Sequence, residues 1–184
     1  MELVTSFFVQ GTPATAGSKQ PFKNRKTGKV LMVPANKRQK PWMESVKYAA
    51  MEAYHGKPVS GPILLVCLFC LRRPKCHYGS GKNSTKLKDS SPAWPIVKPD
   101  TTKLLRAVED ALKWTIWYDD SQVCLSIPVK GYISRYENKQ EGVYVMGRYE
   151  NKQEGVYVMV YKLDDYDVGL NIQLPSLIST IPYR

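Results

Sequence analysis

Five carboxylates fall within one short stretch of this chain. Asp100, Glu109, Asp110, Asp119 and Asp120 lie inside residues 98–123, around one predicted helix, in a chain of net charge +11. Carboxylate oxygens are the hard ligands that a divalent cation such as Mg²⁺ prefers. A basic surface draws in a polyanion, and carboxylates can hold a metal against its phosphates. Residue types and spacing together point to a metal-dependent nuclease. Plainer roles are open on spacing alone. Asp100 can be a helix cap, and Asp119-Asp120 a solvated turn. Arg106 and Glu109, three apart, can be a surface ion pair worth about 0.3 kcal/mol.

These residues need elements to position them. Pro99-Asp100-Thr-Thr is a good helix start, and the periodicity predicts a helix over 101–114 with Leu104, Leu105, Val108, Ala111 and Leu112 buried. Thr102, Arg106, Glu109 and Lys113 then share the opposite stripe. Trp117-Tyr-Asp-Asp-Ser-Gln-Val leads out of the helix towards a strand near 122–128, and that turn can bring Asp119 and Asp120 back towards the helix. Upstream, residues 3–10 read as a strand ended by Gly11-Thr-Pro13. Residues 11–40 read as a long loop with a short strand at 30–33. Pro41 opens a helix running to Tyr54, with Trp42, Val46, Ala49, Ala50 and Ala53 as its apolar face and Gly56 just past its end. Residues 63–71 read as a buried strand, too short to cross a bilayer.

Composition narrows the partners. With 184 residues and 43% hydrophobic content the chain can build an ordinary core. The balance of 27 Lys+Arg against 16 Asp+Glu favours an anionic partner, nucleic acid before an acidic membrane surface. From Ser18 to Lys40 there are eight basic residues and no acidic one. Lys19, Lys23, Arg25, Lys26, Lys37, Arg38 and Lys40, with Arg72 and Arg73 from a second basic loop, are the candidate DNA-backbone contacts. No basic amphipathic helix argues for a membrane, no small-molecule substrate is expected, and the first residues do not read as a signal peptide, so a cytoplasmic location in a bacterial or phage-infected cell is expected. Gly79-Ser-Gly-Lys lacks the spacing of a phosphate-cradling P-loop. Cys67, Cys70, Cys76 and Cys124 contain one C-x-x-C without a second, so they read as buried free thiols rather than a zinc site.

Residues 135–146 recur word for word as 148–159. The period is too short, and the copies too few, for a solenoid. Both copies compete for one edge-strand position, with the other left as a hairpin extension or loop. The domain is expected over 1–163, with 164–184 as a tail.

Pro99-Asp100, Leu104, Arg106-Ala107 and Asp110-Ala-Leu112, followed by Trp117-x-Asp-Asp-x-Gln-Val123, resemble the RusA family of Holliday-junction resolvases, small phage and prophage endonucleases. The resemblance covers roughly residues 5–162 and is specific over 98–123. It implies an α+β single domain, a small mixed or antiparallel sheet with two main helices packed on it. It also implies a Mg²⁺-dependent (or Mn²⁺-dependent) homodimer that cuts four-way DNA junctions by paired phosphodiester hydrolysis. Carried over by position, Asp100 and Asp120 match metal-binding aspartates, with Asp119 a less essential neighbour. Arg106 stands where the family commonly has a catalytic Lys, and Asp110 matches the Asp of Asp-Ala-Leu. The departure is Thr102, where the family usually has a second Asp. Glu109, on the same helical face two turns on, is the candidate to supply that carboxylate. A non-catalytic branched-DNA binder and a nuclease for other branched DNA are the alternatives.

Overall fold

The structure is a computed structural model that describes residues 1–133 and 154–163. Its order is β1 (Glu2–Gln10), β2 (Lys19–Lys23), β3 (Val30–Pro34), α1 (Gln39–Ala53), β4 (Ile63–Leu71), α2 (Thr101–Leu112), β5 (Val123–Tyr132) and β6 (Gly155–Lys162). Four strands form a mixed sheet in the order β1-β6-β4-β5, and β2 and β3 form a separate hairpin. β6 runs antiparallel to both β1 and β4, whereas β4 and β5 are parallel, joined through α2. The expected α+β class holds.

β4 is apolar at every position, as a central strand covered on both faces must be. Ile63, Leu65, Cys67 and Phe69 join the main core with Val156, Val158 and Val160 of β6. Trp42, Val46 and Ala50 of α1, and Leu104, Val108, Ala111 and Leu112 of α2, cover that face. Their spacing of three or four residues is what a helix needs to present one stripe. Leu64, Val66, Met159 and Tyr161 form a smaller cluster on the opposite face.

Several expectations change. α1 begins before Pro41 and ends at Ala53, with Tyr54 rather than Gly56 at its end. Ala53 is exposed. α2 stops at Leu112, two residues early. The loop over 11–40 contains a strand that sequence did not predict: Lys19–Lys23 pairs with β3, from Lys19 opposite Pro34 to Lys23 opposite Val30. β6 lies inside the sheet, not at its edge, and its first five residues belong to the second copy of the repeat. The sequence after each copy supplies a reason. Val160 and Tyr161 follow the second copy and are buried, whereas Gly147 and Arg148 follow the first. An arginine at a buried strand position would carry an unpaired charge. Gly155 is required where β6 passes β1, since a Cβ there would collide with the Val9 carbonyl oxygen. The first copy and the tail from 164 fall outside the described residues. The four cysteines form no disulfide among the described residues, but only Cys67 and Cys70 are buried; Cys76 and Cys124 are exposed.

Candidate active site

The carboxylates occupy the two ends of α2. At its start, Asp100 holds the N-cap position, yet its side chain makes no cap hydrogen bond. It pairs instead with Lys103 one turn on, at 3.1 Å, with both side chains half exposed. The chain leading to it is tethered from the sheet. Lys130 of β5 donates to the Val97 carbonyl at 2.8 Å and the Pro99 carbonyl at 3.0 Å. Ala16 N–H bonds the Lys103 carbonyl, which joins the basic loop to α2. Gly17, at φ +88°, lets the backbone lie against Arg106, whose Cδ would be 3.4 Å from an added Cβ.

At the other end the turn after α2 has a task for almost every residue. Asp119 caps a short 3-10 turn over Asp120–Gln122 by accepting from Ser121 N–H, and the Gln122 side chain accepts from Asp119 N–H. This reciprocal pairing is a capping box, which satisfies two backbone donors at once. Gln122 also donates to the carbonyls of Val59 and Gly61, stapling the turn to the approach of β4. The second oxygen of Asp119 takes the Lys113 ammonium. That bond, with Ser121, holds the Asp119 carboxyl down to about 2. Asp119 is therefore committed to building the turn. Trp117 is fully buried, and its indole Nε1 donates to Asp120 Oδ1 at 3.1 Å. The buried ring aims the carboxylate.

The charge of Asp120 is felt on the last turns of α2. Burial, then the negative charges of Asp120 and Asp110, push the Glu109 carboxyl above its ordinary range, and Arg106 pulls it back in part. Burial likewise raises Asp110; Arg106 and Lys113 oppose this and Asp120 adds to it. Burial pushes the Cys67 thiol far up, and the negative charge of Glu109 raises it further. The structure thus brings together Glu109, Asp110, Asp120 and Arg106. Asp100 stands at the other end of the helix, nine residues before Glu109. Arg106 and Glu109 form no contact ion pair among the described residues. Thr102 is exposed on the first turn of α2.

The basic residues separate into groups. Lys19 and Lys23 lie on the exposed β2–β3 hairpin, and Arg25 and Lys26 in its tip. That tip is shaped by Asn24, whose side chain accepts from Lys26 and Thr27 N–H. Lys37 precedes α1 and Lys40 lies in its first turn, both exposed. Arg38, Arg72 and Lys98 line one cleft of about 240 Å³ beside Pro99, at the Asp100 end of α2. Arg73 has another occupation. Its guanidinium donates to the carbonyls of Pro92 and Ala93 and stacks 4.2 Å over the Tyr132 ring, so it holds the loop after β4 in place.

Sequence reading missed Lys130, Trp117 and Lys113. Trp117 and Gln122 stand in the motif that carries the resemblance, but spacing alone gave neither a partner. Among the described residues, no three acidic, His or Cys side chains are placed to enclose an ion. Mg²⁺ does not need such a cage; it commonly takes one or two carboxylates and completes its shell with water and substrate phosphate. Oxygen donors that repel one another fit a hard cation. No helix among the described residues is long and apolar enough to cross a membrane. Against known proteins, the family model described as endodeoxyribonuclease RusA matches residues 11–147. No curated protein matches the chain.

Proposed function

The chain belongs to the RusA endodeoxyribonuclease family, and from that premise we propose that it resolves four-way DNA junctions by Mg²⁺-dependent, paired hydrolysis as a homodimer. One observation carries the catalytic assignment: Trp117 Nε1 holds the Asp120 carboxylate at 3.1 Å on the turn that leaves α2, whose last turns carry Glu109 and Asp110, and the negative charge of Asp120 raises both of those carboxyls. Asp120 and Glu109 would hold the cation, with Asp110 beside them. Bound Mg²⁺ would supply charge neutralisation and an activated water. Glu109 then stands in for the carboxylate absent at Thr102.

The chain's own residues account for the rest. Arg106 is a fixed cation on the same helix face, suited to the charge that builds on a phosphate during hydrolysis. Trp117 fixes Asp120, and Asp119, Lys113 and Gln122 fix the turn that carries both. Asp100 and Lys103 lie two turns away, next to the cleft of Arg38, Arg72 and Lys98. That end suits the phosphate backbone flanking the cut. Lys19, Lys23, Arg25 and Lys26 extend the basic surface along the hairpin, and Lys37 and Lys40 along the start of α1. Such contacts are salt-sensitive and independent of sequence. Two symmetric cuts need two active sites, hence a two-fold dimer.

The test is cleavage of a labelled four-way junction and a matched linear duplex, in Mg²⁺ and in EDTA, beside Asp120→Asn. Paired nicks confined to the junction are expected, lost in EDTA and reduced at least ~100-fold in the variant. Tight junction binding without cleavage would instead identify a branched-DNA binder.

A further inference from the structure

Trp114 is the only non-glycine residue with positive φ among the described residues, at 63°. It sits two residues past Leu112, the last of α2. That position favours glycine because an L side chain there crowds its own backbone. A bulky residue in such a conformation normally recovers the cost by burying its ring. Trp114 does not, being 67% exposed. Beside it stands Tyr118, 42% exposed, its ring 5.9 Å away at 85°. A third ring stacked flat on one member of such a right-angled pair meets the other edge-on, an arrangement aromatic groups favour.

The corner is built firmly and in one place. Lys113 and Asp119 close the neck of the turn, and Tyr118 N–H donates to Gln122 Oε1 at 2.9 Å. Within the same turn, Trp117 points inward and holds Asp120, while Trp114 and Tyr118 stand in solvent. The exposed rings and the carboxylate thus share one rigid turn.

We propose that Trp114 and Tyr118 form a stacking corner that takes a nucleobase left unstacked at the branch point of branched DNA, next to the phosphodiester to be cut. This rests on the nuclease reading above. The occupant follows from charge and from form. The chain carries +11 and attracts a polyanion. Bases stack on aromatic side chains whatever their identity, and a base unstacked at a branch point has a face free to do so. A base inside a linear duplex has none. The corner therefore provides selection for structure rather than sequence.

The full chain with Trp114→Gly is the sharpest test, because glycine suits φ 63° and should leave thermal stability equal or higher. In EDTA, junction Kd is expected to rise roughly 5- to 140-fold, the range for losing one stacked base. Linear-duplex Kd should stay within about twofold on the same ground. Trp114→Phe should recover most of the affinity, and Tyr118→Ala should repeat the loss. Junction binding should quench tryptophan emission in the parent and less in Trp114→Gly. An unchanged junction Kd in Trp114→Gly and Tyr118→Ala, or equal losses on both DNAs, overturns the proposal while leaving the nuclease reading intact. A shift of Trp114→Gly to a smaller species in sedimentation, with emission quenching retained, also overturns it and makes a second copy the occupant. A parent chain that neither binds nor cuts branched DNA overturns both.

Discussion

The two ends of α2 use the same residue type for different ends. At the start, Asp100 has a lysine one turn away, and the adjoining cleft sets three cations, Arg38, Arg72 and Lys98, against one carboxylate, Glu154, which lies 3.9 Å from Arg72. At the finish, Glu109 and Asp110 face Asp120, and the cations in reach only partly offset the repulsion. Twelve helical residues at 1.5 Å each set the ends about 18 Å apart. A carboxylate neutralised by its neighbour adds little charge to its surroundings. Carboxylates crowded together carry an electrostatic cost that a bound cation removes. One end of the helix therefore seeks anions and the other seeks a cation, and a phosphodiester backbone passing along the helix meets both.

Glu109→Gln is the largest blow to that contrast. Cleavage should fall by at least ~100-fold, because the carboxylate that replaces the one missing at Thr102 is gone. Stability should move the other way. The folded chain holds a proton on Glu109 more tightly than the unfolded chain does, so Glu109's contribution is full below its ordinary value of 4.5 and is lost as pH rises through the raised value. At neutral pH in EDTA the variant should therefore melt about 1–3 °C higher than the parent, for a gain below ~1 kcal/mol. The gap should close below pH 4.5 and shrink when Mg²⁺ is added to the parent. A variant that melts lower at pH 7 would show that the C-terminal end is not under charge strain.

Arg38→Gln with Arg72→Gln addresses the other end and should act on binding rather than turnover, with a small loss of stability because Arg72 also pairs with Glu154. Removing one phosphate-binding cation should lower the slope of log K against log salt by about one, so the double variant should lower it by about two. The turnover rate at saturating junction should hold. A fall in turnover with binding intact would move these arginines from the backbone cleft to the chemistry, and the separation of the two ends would fail.

Legibility followed locality. β4 was readable to its limits because nine consecutive apolar residues need no partner to be recognised as buried strand. α2 was readable from its stripe of Leu104, Val108, Ala111 and Leu112, although its last turn was not, since Trp114 adopts a backbone that its residue type disfavours. β2 was missed because Lys-Gln-Pro-Phe-Lys has neither alternation nor strand propensity; it is a strand through its pairing with β3. At the site, the motif set Asp100 and Asp120 apart from a less essential Asp119, but did not tell what each side chain touches. Asp119 caps, Asp120 is aimed, and Asp100 pairs with Lys103. Such distinctions depend on side-chain direction, which sequence spacing does not carry.

Trp117→Phe is the smallest expected effect and the finest probe of the difference. It keeps an aromatic ring in the core and removes the indole donor that ties Asp120 to the buried side of the turn. The smaller ring should lower the melting temperature by a few degrees, about what 1 kcal/mol yields in a chain of this size. The hydrogen bond it removes is worth about 0.5–1.5 kcal/mol, so if that bond acts only by holding the carboxylate in place, turnover should fall by roughly 2- to 12-fold. Junction affinity should not change, because the binding end of α2 is untouched. Asp120→Asn in the Trp117→Phe background should then cost less than in the parent, since two changes acting through one carboxylate are not additive. Fully additive effects would mean that Trp117 acts through the fold as a whole, and that Asp120 finds its place without it.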